Sequence, residues 1–323
     1  MVCIKNSNFL TLCKLNDMDL ISIYIGGIIH DFKHPGLNNG FLINTAHELS
    51  TRYNDISVLE NHHIAEAFKI IRSEPKYDIF CLLTKDEKKS IRKKIVECVL
   101  ATDMTSHARY FQMIKLKVER FEIKQGKNSD QIFNPATNDN IPQTQQDFCS
   151  LILHFCDIAN PAKPFDVYKN WMNTVMEEFF RQGDKERQLG IPISFLCDRN
   201  TVTIEGSQIG FIDGIVLPFA IPIIEIFPTL SFFSKNLNEN KNILKLMKEA
   251  KEKVKEKENA EKEKDKEKEK EKEKENITTE KQVVEKRKSK EELKTHESNN
   301  QELENTKENL LKGDKLEKQE EKV

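Results

Sequence analysis

The sequence predicts an all-α fold, a multi-helix bundle followed by a charged tail that is either disordered or a single helix. Three observations carry this. Up to Pro228 the long segments repeat their apolar residues at helical spacing, and alternating strand patterns are hard to find. Clusters of Pro, Gly, Asn and Asp separate those segments. Finally, residues 241–323 carry 25 Lys and Arg and 24 Asp and Glu, nearly half the charges of the 323-residue chain. The expected organisation is therefore a core-forming domain over residues 1–240 and a Lys/Glu-rich low-complexity tail over 241–323.

The organising stretch is Leu20 to Asn39, LISIYIGGIIHDFKHPGLNN. A nearly unbroken apolar run ends on His30 and Asp31, and His34 follows four residues after His30, on the same face of a helix. Pro35, Gly36, Asn38 and Asn39 then stop the element. Phe41–Tyr53 and Val58–Ile71 read as the next two helices. The segment from Asp86 to Met104 opens with acids and becomes apolar, and Ser106–Phe121 follows it. The polar stretch Lys124–Gln145 reads as a long loop. Phe148–Cys156, Tyr168–Gln182 and Ser207–Pro218 are helical again. Ile209–Phe233 is very apolar but contains Asp213, Glu225 and three prolines, so it reads as two core segments and not a membrane span. From Asn242 onward strict Lys/Glu alternation sets opposite charges at i+3 and like charges at i+4, which supports a solvated or coiled-coil helix only partly. Such a tail is a spacer by default, with a protein partner as the alternative.

The formal net charge is −2, and neither part is strongly basic, which argues against a nucleic-acid partner. Seven scattered cysteines without a CxxC pair suit free thiols in a reducing, cytoplasmic setting.

Three apolar helices end alike: on His30-Asp31, on Thr102-Asp103 and on Asp157. A fourth carries Glu60, His62 and His63. Converging helices of this kind build metal sites inside bundles, with His and Asp suiting zinc and carboxylate with water suiting magnesium or manganese. Taken alone, a His-Asp pair at a helix end is more often a cap. Phe211 and Val175 alone would be core residues, and Gln208 alone a surface amide. His47, His62, His63, His107 and His154 read as structural.

Six motifs in register, HDFKHPGLNNGFLIN, NDISVLENHH, VLATDM, CDIANPAKP, WMNTVMEEFFRQGDKE and SQIGFID, resemble the catalytic domain of class I 3′,5′-cyclic-nucleotide phosphodiesterases over about residues 17–230. The resemblance implies the family's all-α (HD-type) bundle and metal-dependent hydrolysis of cAMP, cGMP or both, in signal transduction. It implies two divalent metals, Zn²⁺ at the first site and Mg²⁺ or Mn²⁺ at the second. His30, Asp31 and Asp157 would ligate the first, with Asp31 bridging to the second. His34, Glu60 and Thr102 would orient the second metal's waters. Gln208 would hydrogen-bond the purine, Phe211 and Val175 would sandwich it, and Asn160 and Tyr168 would line the pocket.

One departure matters. The family carries an HNxxHA-type motif upstream, which supplies a general-acid His and a further metal ligand, whereas no His precedes His30 here. The domain therefore reads as N-terminally truncated, with no general acid retained and activity impaired. The alternatives are a non-catalytic module that binds cyclic nucleotide and an interaction protein acting through its tail.

Overall fold

The computed structural model describes Ile4 and residues 7–320, and within the tail the side chains of only some residues. Among the described residues there is no β-strand; the lone bridge pairs Lys124 with Lys127. The chain divides into two units, residues 1–249 and 250–323.

The helices of the first unit start where the sequence caps them. After a single turn, α1 (Phe9–Leu12), comes α2 (Asp17–Ile29). Asn16 and Asp19 close a capping box at its start, which satisfies two of the otherwise orphaned N–H groups. Asp19 is buried and pairs with Lys94 of α6 (Lys85–Leu100), which opens on a second capping box, from Thr84 and Glu87. The two glycines of α2 weaken an isolated helix, but Gly26 lets α2 lie close to two neighbours. A Cβ there would stand 3.3 Å from Leu153 Cδ2 and 3.5 Å from Cys98 Cβ. Those side chains belong to α8 (Ile141–Ile158) and α6. The three packed helices send their C-terminal ends to one place, and this positions the site.

Two short helices, α3 (Asn39–Asn44) and α4 (Glu48–Arg52), correct the expected single helix over Phe41–Tyr53. Ala46 at φ 48° breaks it, and His47 caps α4, its Nδ1 accepting from Leu49 N. α5 (Val58–Ile71) and α7 (His107–Arg120) match expectation closely. The expected loop Lys124–Gln145 is shorter than read. A 3₁₀ turn at Ser129–Phe133 buries Ile132 and Phe133, and α8 begins at Ile141, since Asn140 caps it and Pro142 suits its first turn. α9 (Phe165–Leu189) is longer than the sequence suggested at both ends, closing on Gly190 in the left-handed region.

α10 (Ile204–Phe211) runs into a π-turn at Ile212–Val216 and then α11 (Leu217–Ile226). Ile204–Ile226 is long and apolar enough to cross a membrane by length and composition. Here, however, Ile212, Val216, Phe219, Ala220, Ile223 and Ile226 are buried in the main core with Phe148, Phe155 and Tyr168. A second core joins Ile29, Ile64, Phe68, Ile91 and Val99 from α2, α5 and α6. α2 contributes to both, so its C-terminal end sits at their junction. α12 (Phe232–Glu320) closes the chain. Its first turns bury Phe233, Leu237 and Leu244 in the main core, whereas from Ala250 every described side chain is exposed.

Candidate active site

At the end of α2, His30 occupies the C-cap position. Its Nδ1 lies 2.8 Å from the Gly27 carbonyl, so this nitrogen carries the proton and Nε2 faces outward. Nε2 lies 3.2 Å from Asp31 Oδ2 and 3.2 Å from Asp157 Oδ1, the latter from the last turn of α8. Burial alone would lower the pKa of His30, but hydrogen bonds and the charges of Asp157 and Asp31 prevail and raise it to about 10. Without a metal, two carboxylates thus hold a proton on this imidazole. A cation is what the donor arrangement asks for.

A second imidazole is set up in the same way. His63 is buried, and its Nδ1 lies 2.7 Å from the Phe32 carbonyl, so it too presents Nε2, 3.9 Å from Asp31 Oδ1. Burial pushes its pKa down to about 4, so it is neutral and has a lone pair to offer. Backbone carbonyls that fix the tautomer of an imidazole are the usual support of metal-binding histidines. Two donor groups result, His30 with Asp31 and Asp157, and Asp31 with His34 and His63, each with ligand atoms within 4.8 Å of one another. Asp31 belongs to both. His34 stacks on His63 with centroids 5.6 Å apart, while its Nδ1 accepts from Gly36 N at 3.0 Å. This donor set fits two divalent cations sharing one carboxylate.

His63, read from the sequence as structural, is brought by the fold into the second donor group. The signal was present, since Glu60 and His63 stand three apart on α5 and therefore share a face. Glu60 accepts from Asn39 Nδ2 at 3.0 Å, and Asn39 Oδ1 accepts from Leu59 N at 2.9 Å, so one amide fixes both carboxylate and helix. Burial raises the Glu60 pKa against the lowering effect of Asn39. Thr102, just beyond α6, is buried and donates to the Val99 carbonyl at 2.8 Å, which leaves its lone pairs free. Beside it, Asp103 is held by Ser57 Oγ at 2.7 Å and Thr105 N at 2.8 Å.

The expected base-pocket residues lie on α9, on α10 and in the turn between α8 and α9. Tyr168 is fully buried, and its hydroxyl donates to Gln208 Oε1 at 2.9 Å. That bond orients the amide and leaves Nε2 and one carbonyl lone pair for a ligand. Phe211 and Val175 are half-buried. Asn160 opens the Asn160–Ala162 turn, and its buried Oδ1 has no hydrogen-bond partner among the described residues. Buried acceptors of this kind usually meet a donor, so a ligand is one way to satisfy it.

Comparison with known proteins agrees with this geometry. A model of the 3′5′-cyclic nucleotide phosphodiesterase family matches residues 1–237. A Caenorhabditis elegans protein described as a probable 3′,5′-cyclic phosphodiesterase is 37% identical over 236 residues, covering 70% of this chain and 32% of that protein. A Drosophila melanogaster 3′,5′-cyclic-AMP phosphodiesterase, isoform F, is 45% identical over 190 residues, covering 59% of this chain and 27% of its own length. The chain thus spans about a third or less of the length of these relatives. Among solved structures, the phosphodiesterase domain of the Salpingoeca rosetta rhodopsin phosphodiesterase superposes with a TM-score of 0.66 at 30% identity, over 75% of this chain and 70% of that one. With the motif register, the all-α architecture and the paired donor groups agreeing, this chain belongs to the 3′5′-cyclic nucleotide phosphodiesterase family.

Proposed function

We propose that the chain is built to hydrolyse a 3′,5′-cyclic nucleotide, cAMP in particular, with two divalent metals. The observation that carries this reading is Asp31, shared between two imidazole-containing donor groups. His30, Asp31 and Asp157 would hold the first metal, zinc by the chemistry of the set. Asp31 would reach the second, magnesium or manganese, with His34, Glu60, His63 and Thr102 around it. When bound, the pair supplies Lewis acidity at phosphorus and charge neutralisation for the phosphodiester.

The rest falls to the chain's own side chains. Gln208, held by Tyr168, would anchor the base, and Phe211 with Val175 would hold its faces. Asn160 would accept from an exocyclic amino group. Adenine and guanine both carry such a donor, and it is the Drosophila relatives, described as cyclic-AMP phosphodiesterases, that support cAMP. The 3′ oxygen leaves as an alkoxide and needs a proton. No His precedes His30 within residues 1–323, and His63 is neutral and turned toward Asp31, so this stretch by itself would lack the upstream acid that the family resemblance implies and its turnover would be impaired. The sensor and interaction-protein readings account less well for two donor groups that share Asp31.

The test separates metal from base. In the purified chain, Asp31→Asn should abolish tight Zn²⁺ and Mn²⁺ binding, whereas Gln208→Ala should retain both metals and lose affinity for cAMP. If Asp31→Asn kept both metals, or if Gln208→Ala lost them, the site would have been misassigned.

A further inference from the structure

The turn between α8 and α9 is a single 3₁₀ turn, Asn160–Ala162, followed by Lys163 in extended backbone. Its outward carbonyls belong to no helix ladder, and in a buried position they require other donors. One helix supplies them. Asn240, only 4% exposed, donates through Nδ2 to the Pro161 carbonyl at 2.7 Å and the Lys163 carbonyl at 2.8 Å. Asn236, one turn earlier, donates to the Ala162 carbonyl at 2.8 Å. Three consecutive carbonyls are thus held by two amides of α12. The next residue, Lys241, places Nζ 2.8 Å from Asp213 Oδ1. Asp213 is the second residue of the π-turn that follows Phe211. π-turns widen a helix locally and are common at functional sites. The start of α12 therefore holds both the turn that carries Asn160 and the π-turn that continues the helix carrying Gln208 and Phe211.

We propose that Asn240, with Asn236 and Lys241, is a positioning device for nucleotide recognition. It fixes the spacing between Asn160 on one wall and Gln208 with Phe211 on the other, so that a purine meets both. This rests on the reading of the base pocket given above. The amides act through the backbone of residues 161–163 and touch no nucleotide themselves. The unpartnered Oδ1 of Asn160 gives the arrangement a purpose, because a buried acceptor is useful only if it is held where a base amino group arrives. Lys241 is largely buried beside a half-exposed Asp213, so its pairing is less screened than a fully exposed one.

The experiment uses the full chain loaded with Zn²⁺ and Mn²⁺, with 5′-AMP as the probe in titration calorimetry, and thermal unfolding measured in parallel. Asn240→Ala should weaken 5′-AMP binding about tenfold while metal content stays unchanged. Lys241→Ala should weaken it about threefold and Lys241→Arg should restore it, since Arg keeps the charge opposite Asp213. Asn238→Ala is the control, because among the described residues Asn238 bonds only to the Ser234 carbonyl of its own helix. A mere staple would lower the unfolding midpoint in Asn240→Ala and leave the 5′-AMP affinity of the folded protein intact, and that result would overturn the proposal. If Asn240→Ala does not fold, Asn236→Ala, which removes one bond at a less buried position, is read in the same way. Failure of the unaltered chain to bind 5′-AMP, or unchanged binding by Gln208→Ala, would instead refute the pocket reading on which the proposal rests.

Discussion

Acid should destabilise this domain through His154, and one substitution should remove a calculable part of that loss. His154 is fully buried on α8, with Nε2 2.9 Å from His107 Nδ1 and its ring edge-on to Phe219 at 5.4 Å. Burial, then the neighbouring His107, push its pKa from 6.5 down to about 4. Between these two values the unfolded chain binds a proton that the native chain refuses, so stability is fully present above pH 6.5 and falls as the pH drops toward 4. From about pH 7.5 to about pH 5 the cost is about 2 kcal/mol. His63, also held near 4, adds a comparable loss, so the pair gives about 4 kcal/mol.

His154→Gln removes the titrating ring but keeps a polar side chain near His107. Any cavity or strain it introduces does not depend on pH, so the difference between the two pH values isolates the proton. Urea unfolding of chelator-treated protein, which avoids competition between metal and proton at His63, should show the unaltered chain losing about 2 kcal/mol more than the variant, with His30, whose pKa is raised, offsetting part of the loss equally in both. Equal losses would refute the reasoning, because His154 would then not be the group that the native state keeps neutral.

Three further outcomes are expected. Gly183→Ala should lower the thermal midpoint by several degrees, about 2–4 °C per kcal/mol, because its Cβ would lie 1.9 Å from the Cys197 carbonyl oxygen, whereas Gly210→Ala, with nothing within 4 Å, should leave the midpoint unchanged or raise it. Deleting residues 250–323 should not move the midpoint of the remaining unit, since no described side chain there is buried; a large drop in differential scanning calorimetry would contradict this. Turnover of cAMP by residues 1–323 should be about 10²–10⁴-fold below that of an enzyme with a positioned acid, and added imidazole buffer should raise it; turnover at full rate without imidazole would show that the proton comes from elsewhere in this chain.

The fold class was legible because apolar spacing and helix caps are local. Asn16 with Asp19 and Thr84 with Glu87 announce two helix starts within four residues each. The break at Ala46 was not legible, since no Gly or Pro marks it and tertiary packing holds a non-glycine residue at positive φ. In the site, His30 and Asp31 stood out because an apolar run ended on them. His63 did not, because which residue of the His62-His63 doublet faces inward depends on the rotation of α5 against α2. The grip of Asn240 on residues 161 and 163 spans 79 and 77 positions of sequence and has no local signature.

More than the side chains favours a cation at this position. α2 ends at Ile29, α6 at Leu100 and α8 at Ile158, so three helices bring their carbonyl ends, each with partial negative charge, toward Asp31, Asp103 and Asp157. Asp103 is already met by Ser57 and Thr105, which leaves Asp31 and Asp157, among the described residues, as the carboxylates whose hydrogen-bond donor is His30. In the metal-free protein the proton on His30 offsets that charge, and the raised pKa of His30 reports how much the surroundings favour it. Metal must displace this proton, and the same carboxylates that stabilise the imidazolium become its ligands. Replacing Asp157 alone would therefore weaken the hold on both proton and metal. Replacing Glu60, which is fixed by Asn39 and shares no bond with His30, would leave the first site's proton in place. The two donor groups are separable in this sense although Asp31 belongs to both.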